Sequence, residues 1–203
     1  MSLIILDYGA GNIRSVANLL DVLEIKYKIS DKKEDLINAE RIIFPGVGHF
    51  AQVMDALNSR GLTQPLIDTI NTGTPFLGIC LGLQVLFEES QEAPGIKGLG
   101  ILPGKVLKFK WGKIPHIGWN KLDITDNNSL LTNDYVYFVN SFYAVPDDTN
   151  VISAYSNYYM NFTAAVEHDN ITAFQFHPER SGKTGEKIFK NWLEVSAKKL
   201  VAD

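Results

Sequence analysis

One cysteine, four histidines and a glutamate two residues beyond one of them are the groups from which this 203-residue sequence can build nucleophilic chemistry. Cys80 stands in Gly78-Ile79-Cys80-Leu81-Gly82, after a short apolar run and before a helix-period apolar pattern. That spacing is the one found at a nucleophile elbow, a sharp strand-to-helix turn with the reactive residue at its apex. The flanking glycines have a steric reason, because a Cβ at either place would strike the strand or helix beside the turn. A sulfur at such a turn also faces the unpaired N–H groups that open a helix, which favours its anionic form. A cysteine in this setting is either a nucleophile or a small buried hydrophobe.

A thiol nucleophile needs a base, and the base needs a partner for its second nitrogen. His49 lies in a glycine-rich loop, His116 follows Pro115, and His168 sits in a hairpin turn. His177 follows the strand-like run Ala173-Phe174-Gln175-Phe176 and opens His177-Pro178-Glu179, where Pro178 restricts the relative direction of the imidazole and the carboxylate. Acyl transfer also needs donors for an oxyanion. One is the backbone N–H of Leu81, the residue after the nucleophile. Another is expected from Pro45-Gly46-Val47-Gly48, whose glycines let bare backbone approach a ligand, with Val47 and Gly48 as the donors. Gly46, Gly48 and Ala51 also match a dinucleotide-binding spacing, but that fingerprint belongs in the first strand-to-helix turn, where Arg14 takes the third glycine position.

The elements needed to hold these groups follow from periodicity. Short apolar strands are expected at residues 3–6, 27–30, 41–44 and just before Cys80, with helices at 13–23, 50–58 and 66–71. This alternation argues for parallel βαβ units with right-handed crossovers. After residue 90 the periodicity changes. Strands are expected at 106–109, 121–124, 135–139, 151–155, 162–167 and 171–176, the last two joined by a hairpin at 168–170, with a final helix at 182–198. Lys32-Lys33-Glu34-Asp35 reads as a solvated charged face. The aromatic cluster Tyr135, Tyr137, Phe138, Phe142 and Tyr143 reads mostly as core, and Trp111 and Trp119 are either buried or part of a partner surface.

Length and composition suit one α/β domain over residues 1–203 with a sizeable core. Hydrophobic residues make up 45% and charged residues 21% of the chain, as in ordinary globular proteins. A formal net charge of -4 gives no electrostatic case for nucleic acid. A single cysteine permits no internal disulfide, which fits a reducing compartment. The start has no basic leader and the sequence no spanning apolar run, so a cytoplasmic protein without a membrane segment is expected. No metal or cofactor motif is found.

Together the cysteine elbow, Pro45-Gly46-Val47-Gly48 and Phe176-His177-Pro178-Glu179 resemble the class I (triad) glutamine amidotransferases. Within these, the chain is most similar to the glutaminase subunits of imidazole glycerol phosphate synthases. That likeness covers essentially the whole sequence. It adds Asp7-Tyr8-Gly9-Ala10-Gly11-Asn12, Pro115-His116-Ile117-Gly118-Trp119-Asn120 and Tyr137-Phe138-Val139-Asn140-Ser141-Phe142-Tyr143 to the motifs above. The fold it implies is a flavodoxin-like open sheet, mostly parallel and flanked by helices, with an added antiparallel portion in the C-terminal half.

The resemblance implies that Cys80 is the nucleophile, His177 the general base and acid, and Glu179 the residue orienting it. Gln84 and the backbone near Ser141 and Phe142 would hold the α-groups of glutamine, with Glu92 a weaker candidate and Gly46 also placed at the substrate. Gly46 to Gly48 would supply the oxyanion donor. Asn12, Trp119, Arg180 and Ser181 are the positions implied at a partner face. That partner would be a cyclase subunit with a (β/α)8 barrel, joined as a heterodimer and consuming the ammonia in histidine biosynthesis. The chain departs from the family pattern at Asn140, where histidine is usual, and at Arg180, where lysine is usual. Two other readings stay open on the sequence: a glutaminase serving a different synthase, such as one making a sugar amidine or an aromatic amino acid precursor, and a non-catalytic regulatory module.

Overall fold

The computed structural model describes residues 2–9, 12–125 and 130–202. Ala10 and Gly11 of the opening turn lie outside the described residues. The first half winds as β1 (Leu3–Leu6), α1 (Ile13–Val22), β2 (Lys28–Ser30), α2 (Lys33–Ile37), β3 (Arg41–Gly46), α3 (Phe50–Ser59), α4 (Thr63–Asn71), β4 (Phe76–Cys80) and a single turn, α5 (Leu81–Gln84). The second half adds β5 (Glu89–Ser90), β6 (Gly104–Lys108), β7 (His116–Lys121), β8 (Asp123–Ile124), β9 (Tyr135–Asn140), β10 (Phe142–Pro146), β11 (Ile152–Asn157), β12 (Asn161–His168), β13 (Ile171–Phe174) and α6 (Gly182–Ala202).

The main sheet runs β2-β1-β3-β4-β13-β12-β11-β8. Its β2 to β13 portion is parallel, and β13-β12-β11-β8 is antiparallel. The expected fold class, a mostly parallel sheet flanked by helices with antiparallel β structure in the C-terminal half, is therefore the observed one. Strands covered on both faces read as unbroken apolar runs, and their side chains divide by parity. Ile4, Leu6, Ile42, Phe44 and Phe76 meet α3 and α4 through Phe50, Val53, Leu57, Leu66 and Ile70. Leu3, Ile5, Ile43, Leu77 and Ile79 meet α1 and α6 through Val16, Leu20, Ile188, Phe189 and Trp192. Each face of one sheet thus has its own core.

Two smaller β units cover the carboxyl end of this sheet: β10-β6-β5 and an antiparallel ribbon of β7 and β9. Neither β7 nor β10 is expected from the sequence pattern. In β7 the alternation is inverted, with His116 buried while Ile117 and Trp119 face out. The charged run at 32–35 is solvent-facing as expected, and it opens a helical turn, Lys33–Ile37, that buries Leu36. Among the described residues no helix is long and apolar enough to cross a membrane.

Candidate active site

β3, β4 and β13 are adjacent and parallel, so their carboxyl ends open at the same edge, where open α/β sheets gather ligand groups. From them come Gly46-Val47-Gly48, Cys80 and the segment leading to His177. Cys80 is the last residue of β4 and sits at φ +54, ψ −101, a costly conformation for a residue with a Cβ. The glycines around it are required. A Cβ on Gly78 would lie 2.6 Å from the Gly82 carbonyl oxygen, and one on Gly82 would strike the Phe44 carbonyl of β3. Gly46, paired in register with Cys80, packs against Leu81 and the Gly82 amide, where a Cβ would come within 2.6 Å of both. It forms the floor beneath the turn, while Val47 and Gly48 line the cavity above. Gly48 adopts φ +118, which only glycine takes without strain. α5 is one turn long, so any help to the sulfur comes from local N–H groups and not from the dipole of a full helix.

The structure brings the distant imidazole and carboxylate to this thiol. His177 Nδ1 lies 2.8 Å from Glu179 Oε1, and both side chains are buried. Nε2 has no full hydrogen bond among the described residues. Burial pushes the imidazolium down, but the Cys80 charge and hydrogen-bonding contact, followed by Glu179, outweigh it and raise the His177 pKa to about 10. A ring held charged by sulfur on one side and carboxylate on the other can act as an acid beside a thiol. The turn carrying it is clamped by β9. The His177 N–H donates to the Tyr137 carbonyl at 2.9 Å, the Ser181 hydroxyl donates to the His177 carbonyl at 2.7 Å, and the Tyr137 N–H donates to the Ser181 oxygen at 3.0 Å.

A cavity of about 340 Å³ opens over the sulfur, lined by Val47, Gly48, Leu81, Gln84, Glu92, Ser141 and Phe142 among others. That is the lower end of the range for small-molecule sites. Gln84 Nε2 donates to the Phe142 carbonyl at 3.2 Å and to Gln175 Oε1 at 3.1 Å, which uses both amide protons and leaves Oε1 as the free acceptor. Glu92 receives the Phe50 N–H at the start of α3 through Oε2 at 2.8 Å. Asn140 donates to the same Phe142 carbonyl at 2.9 Å, so this departure from the family pattern supports the cavity wall.

The residues expected at a partner face divide. Trp119 is 52% exposed on β7, and Arg180 lies over the Tyr137 ring at 4.5 Å. Asn12 caps the approach to α1, its Oδ1 accepting from the Ser15 hydroxyl at 2.7 Å. Ser181 is not on that face: it is 2% exposed and occupied with the clamp on His177. Two buried groups near the thiol were not singled out from the sequence. Gln175 Nε2 donates to the Cys80 sulfur at 3.6 Å. The Tyr8 hydroxyl is driven upward in pKa by burial and then by the Cys80 charge, with the Val47 amide opposing. Gln175 stands two residues before His177 in the same segment, and Tyr8 lies in the opening motif Asp7 to Asn12, a positional signal in each case.

Comparison with known proteins places this geometry in context. The family model described as "Glutamine amidotransferase class-I" matches residues 4–195. Imidazole glycerol phosphate synthase subunit HisH of Methanothermobacter thermautotrophicus is 45% identical over 195 residues, covering 94% of this chain and 97% of that protein. The chloroplastic imidazole glycerol phosphate synthase hisHF of Arabidopsis thaliana is 45% identical over 197 residues, 93% of this chain and 33% of that longer protein. Among solved structures, one described as a glutamine amidotransferase superposes with TM-score 0.79 at 21% identity, covering 96% of this chain and 98% of that one. The structure of PurLQS from Thermotoga maritima gives TM-score 0.72 at 23% identity over 96% of this chain and 98% of that one. At these identities the structures support the fold alone.

Proposed function

The chain belongs to the class I glutamine amidotransferases, and from that premise we propose that, as one domain over residues 1–203, it is the glutaminase subunit of an imidazole glycerol phosphate synthase. It hydrolyses glutamine to glutamate and ammonia through a cysteinyl thioester. The observation that carries the mechanism is the buried Glu179–His177 pair acting on Cys80, which lines the cavity at the ends of neighbouring strands.

The Cys80 thiolate attacks the side-chain amide carbon of glutamine, and the electron pair of the C=O bond moves onto oxygen. Backbone N–H groups of Leu81 and of Val47 or Gly48 receive that oxyanion. His177, already protonated, gives its proton to the departing nitrogen as the C–N bond breaks, leaving a glutamyl thioester and ammonia. The now neutral ring takes a proton from water, whose oxygen attacks the thioester, and glutamate leaves as the sulfur recovers its negative charge. Glu179 keeps Nδ1 protonated and the ring in register throughout. Gln84 Oε1, with Glu92, is suited to the substrate ammonium, and the backbone at Ser141 and Phe142 to its carboxylate. Holding amide and sulfur in contact with the oxyanion donors preset accounts for on the order of 10 kcal/mol of barrier lowering.

Ammonia released into water would be diluted and protonated, so its consumer must sit against this cavity. The name of the Arabidopsis protein, a longer imidazole glycerol phosphate synthase chain of which the matching segment is 33%, supports a synthase partner. A (β/α)8-barrel cyclase bound as a heterodimer, in the cytoplasm, is the assembly this reading requires. The test is glutamine turnover by Cys80→Ala with its cyclase present. Loss of hydrolysis is expected, together with retained imidazole glycerol phosphate synthesis when ammonium salts are supplied instead. Undiminished hydrolysis by the variant would remove the proposal.

A further inference from the structure

The buried amide of Gln175 has no part in the mechanism above, yet it is fully enclosed and touches the reactive atom. Which end of that amide faces the sulfur is fixed by the groups around it. The Phe142 carbonyl can only accept, so the Gln84 atom facing it is the NH2 group. The second proton of that NH2 points at Gln175, whose facing atom must therefore be Oε1. This leaves Gln175 Nε2 directed at Cys80 Sγ, 3.6 Å away, with the sulfur as acceptor. The chain of bonds from cavity wall to nucleophile admits one sense only: Phe142 carbonyl, Gln84, Gln175, Cys80.

We propose that Gln175 is a positioning residue for the thiol, its N–H holding the Cys80 sulfur and tying it to Gln84 in the cavity wall. This rests on the reading of Cys80 as the nucleophile. A donated N–H is worth more to an anionic acceptor than to a neutral one, so it favours the attacking form of the sulfur as well as its place. The contact joins residues 95 apart in sequence, and Gln175, unlike His177 beside the same sulfur, does not titrate.

Cys80 is the sole cysteine in the chain, so alkylation by iodoacetamide reports on this atom alone. The titratable side chains acting on it, His177 and Tyr8, and those lining the cavity, Glu92 and Arg180, are left unchanged in the variants. The full chain is alkylated across pH 5–10 as the parent protein, Gln175→Leu and Gln175→Glu. In Gln175→Leu the pH of half-maximal alkylation rate is expected to rise by about one unit, with labelling near neutrality slowed about tenfold. Gln175→Glu keeps the size and still accepts from Gln84, yet offers the sulfur no N–H once ionised. It is expected to shift at least as far. A purely structural role predicts that Gln175→Leu follows the parent, and a Gln175→Leu profile superimposable on the parent's, whatever its melting temperature, would overturn the proposal, since the carboxylate of Gln175→Glu also repels the sulfur's charge. Hydrolysis that survives in Cys80→Ala removes the glutaminase reading instead, while the alkylation comparison still reports what Gln175 does to the sulfur.

Discussion

The His177 ring is pulled in two directions, and the balance identifies what acts on it. Burial alone would leave it neutral; the sulfur and Glu179 together hold it protonated to about 10. A negative charge beside an imidazolium stabilises the protonated form, so removing that charge must lower the pKa. In Cys80→Ala the two largest influences raising it disappear, and the ring's titration midpoint, followed by NMR of its C–H resonances, is expected to fall well below 10. Glu179→Gln keeps the size but removes the negative charge facing Nδ1 and adds an NH2 donor, which leaves the ring free to adopt the wrong tautomer. Turnover is expected to drop by about 10²–10⁴, with binding of glutamine little changed, as measured by the separate effects on kcat and KM. A midpoint that does not move in Cys80→Ala would mean that the sulfur is not the ring's partner.

At the scale of elements, the site is a consequence of three neighbouring strands ending together and of a turn that tolerates no Cβ. Gly78 and Gly82 make this turn possible by letting it cross itself and lie against β3. Gly82→Ala forces a methyl group into the Phe44 carbonyl, so β3 and the turn must part. A loss of more than about 2 kcal/mol in stability and at least a hundredfold fall in kcat are expected, measured by thermal unfolding and glutamine turnover. Gly61, at φ +64 with nothing near its missing Cβ, is the control, since substitution there strains only a surface turn. The elbow, the His-Pro-Glu turn and the parallel half were legible in the sequence because each is written locally, in glycine spacing or in one strand's apolar run. Gln175 was not, because its importance comes from Gln84, which is 91 residues away in the chain. The β7–β9 ribbon was half legible. Pro115 and Gly118 interrupt the strand pattern of β7, and its buried side is polar while its outer side carries Ile117 and Trp119, the reverse of what a solvated strand shows.

That reversal matters for the whole molecule. Register pairs Ile117 with Val139, Trp119 with Tyr137 and Lys121 with Tyr135, so one face of the ribbon gathers large apolar and aromatic side chains. Ile117, Trp119 and Tyr135 are each more than half exposed, an arrangement a monomer has little reason to keep. The Trp119 and Tyr137 rings meet edge to face at 5.8 Å, and Arg180 covers the Tyr137 ring at 4.5 Å. Tyr137 is also the residue whose backbone clamps His177 and Ser181, so this exposed face and the His177 ring share one residue. A partner docked here would rest on the same strand that holds the acid–base group, beside the cavity from which ammonia leaves. Aromatic anchors of this kind carry a large share of interface energy. Trp119→Ala is therefore expected to weaken binding of the cyclase by about 2 kcal/mol, roughly thirtyfold in Kd, while the isolated chain melts within a degree or two of the parent because half the ring was already in water. Titration calorimetry of the two subunits measures the first quantity and thermal unfolding the second. Unchanged affinity in Trp119→Ala would move the docking face away from this ribbon.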